Sequence, residues 1–241
     1  MPIPILDSRL VFPDPRGTDS EGLVAIGGDL SIARLLLAYG SGIFPWTDNP
    51  ITWWSPDPRA IFELDRNETA IPPHPTLSLG ERATKCSPGI HVSKSLARTI
   101  RKGAFRTTTD KAFRQVMEGC AAPAAGRGET WISSKFLQAY TRLHEQGHAH
   151  SLECWQNDNI VGGIYGVSIG GFFAGESMFH RVADASKVAL FHLIEHLRQR
   201  GFMLFDIQVL TPITSKLGGI TISRDQYLKR LGKAVQKKCS F

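Results

Sequence analysis

The sequence predicts an α+β fold, and three observations carry that expectation. Residues 151–209 read as strand, strand, glycine turn, strand, helix, strand. Three amphipathic helices precede them, and the first sixty residues, dense in Pro, Gly and Trp, carry one clear helix. Helices flanking an antiparallel meander, then a helix-to-strand return, pack as layers around a core. A chain of 241 residues can bury such a core in one large domain or two unequal ones.

Taken in order, the first helix has Asp29 or Ser31 as N-cap, Leu35 to Tyr39 as its apolar body and Gly40 as its stop. Residues 1–66 read as a small N-terminal domain with few strands. Residues 67–88 shift to Pro72-Pro-His-Pro75 and small polar side chains, the composition of an exposed insertion or linker. Residues 89–241 form the larger domain, ending in a basic tail. Its helices are expected at 93–102, 109–120 and 133–146, the last with Phe136, Leu137, Tyr140 and Leu143 on one face and Gly147 as its stop. Strands follow at 151–155, 160–168 and 172–179, with Gly170-Gly171 suited to a tight hairpin. Asp184 is placed to cap a helix over 185–200, striped by Val188, Phe191, Ile194 and Leu197, and a strand over 203–209 closes the series.

Composition narrows the function. No apolar run is long enough to cross a membrane, and the first residues lack the basic and apolar regions of a secretory signal. Cys86, Cys120, Cys154 and Cys239 are far apart with no Cys-x-x-Cys pair, the pattern of reduced thiols, so a cytoplasmic location is expected. A formal charge of +6 leans towards an anionic partner. Lys94, Arg98, Arg101 and Lys102 fall within about 100° of arc on the predicted helix, opposite Leu96 and Ile100. A solvated face would normally interleave Glu for i,i+4 pairs, whereas this sign is unbroken and suits a phosphate backbone. Trp46, Trp53, Trp54 and Trp131 favour RNA over duplex DNA, because tryptophans can stack on unpaired bases. Trp46 and Trp131 stand where loops meet elements, as a clamp would require, although most tryptophans serve a core.

The chemistry is expected around Glu176, Asp206 and Gln208. Asp206 and Gln208 are two apart on a strand, so alternation sends both side chains from one face. A carboxylate and an amide on an apolar strand are costly without partners. The competing reading is a buried polar network that fixes register. Glu176 and Ser177 follow Gly175, where backbone can approach a ligand, and Ile164, Phe173, Met178 and Leu193 suit an adjoining apolar pocket. His144-Glu-Gln-Gly-His148 matches the zinc-protease pattern, but Gly147 should end the helix before both histidines share a face; no metal is expected.

As a set, these motifs resemble the leucyl/phenylalanyl-tRNA–protein transferases of bacteria. The ordered blocks include Gly22-Leu-Val-Ala-Ile-Gly-Gly-Asp29, Gly42-Ile-Phe-Pro-Trp46, Thr130-Trp-Ile132, Val161-Gly-Gly-Ile-Tyr-Gly166, Gly175-Glu-Ser-Met-Phe179 and Asp206-Ile-Gln208. The resemblance implies a GNAT-like larger domain after a small N-terminal one. It implies transfer of Leu or Phe, in some members Met, from aminoacyl-tRNA to the N-terminal Arg or Lys of a protein, creating a degradation signal. By position, Trp46 and Trp131 would hold the terminal adenosine. Ile164, Phe173, Met178 and Leu193 would shape the side-chain pocket, and Lys94, Arg98, Arg101 and Lys102 would grip the acceptor stem. Glu176, Asp206 and Gln208 would surround the reacting ester, with Tyr39 and Tyr140 nearby. No cofactor is implied, and a monomer is expected. Ile213 departs from the family, which commonly has a histidine at that position, and Leu193 replaces an aromatic residue of some members. A CoA-dependent acetyltransferase would need a glycine-bearing pyrophosphate turn, yet His180-Arg-Val-Ala-Asp-Ala-Ser-Lys187 has none. A non-catalytic tRNA-binding module would leave Glu176, Asp206 and Gln208 without a task.

Overall fold

A computed structural model describes residues 3–64, 90–123 and 130–241. The insertion expected at 67–88 lies outside the described residues. The chain begins with β1 (Ile5–Leu6), β2 (Leu23–Gly27), α1 (Ile32–Gly40), β3 (Phe44–Asp48) and β4 (Ile51–Trp54). These strands make a four-stranded sheet in the order β1-β2-β4-β3. Ser31 caps α1 by accepting from the Arg34 N–H at 3.3 Å. The left-handed residue that stops the helix is Gly42 (φ +79°), two residues beyond the expected Gly40. A side chain at Gly42 would also collide with Leu228 and Tyr227, so glycine is required there twice over.

Next come β5 (Arg59–Phe62), α2 (Lys94–Arg101), β6 (Arg106–Thr109), α3 (Phe113–Ala121), α4 (Ser134–Glu145), β7 (Ala149–Gln156), β8 (Asn159–Ile169) and β9 (Phe172–His180). The chain finishes with α5 (Ala185–Gln199), β10 (Leu204–Gln208), α6 (Pro212–Lys216), β11 (Ile220–Ile222) and α7 (Arg224–Ala234). A seven-stranded sheet runs β11-β5-β10-β9-β8-β7-β6. Among the described residues its single parallel pair is β9–β10, joined by α5 as the crossover that parallel pairing demands. The α+β class is therefore observed, with mixed sheets and helices on both faces of the larger one. One apolar layer contains Tyr39, Phe113, Phe136, Tyr140, Tyr165 and Tyr227. The other lies under α5 and contains Ile164, Phe173, Leu193, Ile194 and Phe205.

Three expectations change. Residues 59–62, read with the N-terminal portion, pair with β10 and β11 inside the larger sheet. The helix expected from 109 starts only at Phe113, because three consecutive threonines suit a strand and Asp110 (φ +56°) breaks the chain direction. Asp184 occupies the N-cap position of α5 without capping it; its carboxylate instead accepts from Lys187 Nζ at 2.8 Å. The basic tail is largely α7, with Tyr227, Leu231 and Ala234 buried while Lys229, Arg230 and Lys233 face outward. Gly147 (φ +75°) does end α4, with the His148 N–H returning to the Leu143 carbonyl at 2.8 Å. Among the described residues no helix is long and apolar enough to cross a membrane.

Candidate active site

The site is built where two neighbouring strands each carry one residue too many. β9 and β10 run in parallel register as far as Ala174 and Asp206. Just beyond, Glu176 is extra on β9 relative to β8, and Ile207 is extra on β10 relative to β5. Such bulges re-aim side chains and end regular pairing. Gly166 accommodates the first: any Cβ there would meet the Ala174 carbonyl oxygen and the Phe173 ring. At the second, Gln208 adopts φ +55°, a left-handed conformation rare for a residue with a side chain. Simple alternation, which put Asp206 and Gln208 on one face, is thus replaced by a bulge between them.

Asp206 is fully buried and accepts four hydrogen bonds. Arg59 donates to both its oxygens, Nε to Oδ1 at 2.9 Å and Nη2 to Oδ2 at 2.7 Å. The Tyr227 hydroxyl donates at 2.8 Å and the backbone N–H of Gln208 at 2.9 Å. Asp206 therefore holds Gln208 by its main chain, while the Gln208 side chain turns to Glu176, Nε2 donating to Oε1 at 3.0 Å. Among the described residues nothing donates to the Gln208 carbonyl oxygen. Glu176 Oε2 accepts from the Tyr140 hydroxyl at 3.3 Å, and Tyr140 is hydrogen-bonded in turn to Tyr39.

Burial governs the electrostatics here. It pushes the Glu176 carboxyl up to about 8; the charge on Asp206 adds to this, while Tyr39, Tyr140 and Arg59 oppose it. Burial, reinforced by Glu176, holds the Tyr39 and Tyr140 phenols well above their usual range. Burial would discharge Arg59, but the adjoining Asp206 carboxylate outweighs it and keeps the guanidinium charged.

The expected tryptophans reach this network through ring contacts. Trp46 is 41% exposed on β3, edge-on to Trp54 at 5.6 Å and 5.9 Å from Phe44. Phe44 in turn lies 4.8 Å from the Arg59 guanidinium. Trp131, just before α4, is edge-on to Phe136 at 5.2 Å, and Phe136 leads to Tyr140 at 6.2 Å. Ser133 donates to Asp48 at 2.5 Å, tying the Trp131 segment to the strand that bears Trp46.

The four apolar candidates come together, but as packed side chains on the α5 side of the sheet. Ile164 and Met178 are register partners on adjacent strands. Ile164, Phe173 and Leu193 are 5%, 0% and 1% exposed, and Met178 alone is part-exposed. Lys94, Arg98, Arg101 and Lys102 are all exposed on α2, whose Leu96 and Ala97 face inward, and no ion pair among the described residues claims them. Ile213 is 49% exposed on α6, directly after the strand that carries Gln208. His144, of the zinc-protease pattern, lies flat on Phe113 with Nδ1 2.8 Å from the Ala149 carbonyl oxygen.

Sequence reasoning missed Arg59 and Tyr227. A lone arginine at the head of the apolar run Arg59-Ala-Ile-Phe62 needs a buried counter-charge, and Asp206 needs a partner. Matching those two needs would have paired them. Tyr227 was hidden by the lysines around it.

Comparison with known proteins places these features in a family. The model of the leucyl/phenylalanyl-tRNA protein transferase matches residues 86–232, and the model of that family's N-terminal domain matches residues 28–57. A leucyl/phenylalanyl-tRNA–protein transferase of Shewanella pealeana is 46% identical over 93% of this chain and 87% of its own length. One from Anaeromyxobacter is 45% identical over 96% of this chain and 90% of its own, and one from Cellvibrio japonicus is 47% identical over 92% and 86%. With the main family model spanning more than half of the residues, and relatives aligned over nearly their full length, the chain belongs to the leucyl/phenylalanyl-tRNA–protein transferase family.

Proposed function

We propose that the protein transfers leucine or phenylalanine, with methionine as a further donor, from aminoacyl-tRNA to the N-terminal Arg or Lys of acceptor proteins, and that the new residue marks them for degradation. The observation that carries this reading is the Gln208 amide, anchored at its nitrogen by Glu176 and with no donor to its carbonyl oxygen among the described residues. That oxygen accepts a hydrogen bond from the attacking α-amine. The amine nitrogen bonds to the ester carbonyl carbon, the ester C–O bond breaks, and the ribose hydroxyl leaves. The amine proton passes to the departing ribose oxygen, directly or through water. Asp206 does not take it, since four donors already saturate that buried carboxylate. Its part is to fix the main chain at Gln208.

The ester is already activated, so positioning does most of the work, worth about 7–11 kcal/mol when two reactants are well oriented. Neither a metal nor a coenzyme is needed. Trp46 and Trp131 clamp the terminal adenosine, and α2 grips the acceptor stem. Ile164, Phe173, Met178 and Leu193 open around the donor side chain, entry being from Met178, the part-exposed member. The parallel pair β9–β10, interrupted by a bulge on each strand, supports an acyltransferase-type, GNAT-like larger domain; on the proposed reading the protein acts in the cytoplasm as a monomer. Labelled Phe-tRNA incubated with an Arg-starting peptide tests the proposal. A peptide lengthened by one phenylalanine is expected, with no product from a Gly-starting peptide. Failure of transfer, with acetylation of the same peptide from acetyl-CoA, would overturn it.

A further inference from the structure

Arg59 touches both halves of the site. Its Nε and Nη2 grip Asp206 at 2.9 and 2.7 Å, and its Nη1 donates to the Gly42 carbonyl at 3.0 Å, four residues before Trp46. The guanidinium is sandwiched, 4.8 Å from the Phe44 ring centroid and 4.4 Å from that of Tyr227. It is 1% exposed, so no water competes for these contacts. A planar fork with five donors can hold an acid and a carbonyl at once, which a lysine ammonium on its flexible stem cannot reproduce. Charge neutralisation alone would need only the Asp206 contacts. The Gly42 and Phe44 contacts have no such purpose, and they lie on the segment that runs directly into Trp46.

We propose that Arg59, with Tyr227 as its second brace, is the positioning residue that locks the Trp46 segment and the Gln208 amide into one register. The inference rests on the aminoacyl-transfer reading for its meaning: the register sets the ester, held at the tryptophan, opposite the amide that receives the amine. A ligand stacked on Trp46 is then presented at a fixed offset from Gln208.

The side-chain amide proton pair of Gln208 and the indole proton of Trp46, identified by their loss in Gln208→Ala and Trp46→Phe, report this register by NMR without turnover. Tyr227→Phe, which keeps the ring and removes one donor to Asp206, should shift the Gln208 pair. It should also lower the single-turnover transfer rate about tenfold with KM for Phe-tRNA unchanged, the mark of lost orientation. Arg59→Lys should move both signals and raise that KM as well. Leu197→Ala, on the α5 side, should lower the melting temperature and leave both signals in place, separating register from general loosening. Unmoved Gln208 signals in Tyr227→Phe and Arg59→Lys, or an unmoved Trp46 indole in Arg59→Lys, would sink the proposal. Wild-type protein that gave no transfer at all would refute the aminoacyl-transfer reading, while the spectra would still decide the register.

Discussion

Glu176 shows how one part-buried carboxyl can be read in two ways, by chemistry and by stability. Burial pushes it up to about 8 in the folded chain, whereas an unfolded glutamate titrates near 4.3, about its ordinary value. The folded state therefore binds the extra proton more tightly between those limits. Its contribution to stability is full below about 4.3 and is lost as pH rises through about 8. Glu176→Gln, neutral at every pH, should flatten the fall in the urea midpoint between pH 5 and pH 9. A variant whose midpoint declines as steeply as the wild type would remove Glu176 from this account. Stability is the cleaner readout, because the attacking α-amine also titrates near 7.7–8.0 and confounds any rate profile in that range. The residue types were legible from sequence, since Glu176, Asp206 and Gln208 broke an apolar pattern. Their division of labour was not. It depends on bulges, and a bulge is defined only against the partner strand's count of residues.

At the scale of elements, long amphipathic segments were readable and short ones were not. The helix α4 and the meander β7–β8–β9 appear within a few residues of their expected bounds because period and punctuation agree along them. β5, β6 and β11 have three or four residues each, too few to establish a period, and tertiary pairing decides their state. The basic helix was legible because four cations and two inward apolar residues suffice to define its faces. Arg98→Glu with Arg101→Glu should raise KM for charged tRNA and shrink the salt slope of binding by roughly 0.7–0.9 per lost phosphate contact. Both side chains are exposed, so stability should change by no more than about 0.5 kcal/mol. Filter binding across a salt series checks the affinity and its slope, urea melts check the stability, and unchanged affinity would take α2 out of the proposed RNA surface.

Across the whole molecule, α7 reaches back to the start of the chain. Buried Arg224 donates to the carbonyls of Pro15 and Asp19, each at 2.7 Å, while its backbone N–H meets Asp57 at 3.1 Å. Arg224→Ala leaves those carbonyls unmet and should cost about 2–4 kcal/mol. Limited proteolysis should then cut first within the opening twenty residues, and a digestion pattern like the wild type's would argue against that clamp. The cluster around Arg59 is also built from remote segments, with Asp206 147 positions away along the chain and Tyr227 168. Contacts so remote in sequence close late, after local helices and hairpins have formed. During synthesis, a nascent polypeptide halted short of Tyr227 would hold the guanidinium and the carboxylate without the second of the two rings and without its hydroxyl donor. Such a truncated product would be a poor catalyst and a marginal fold together, which leaves a cell's proteases few half-working copies to sort from intact ones.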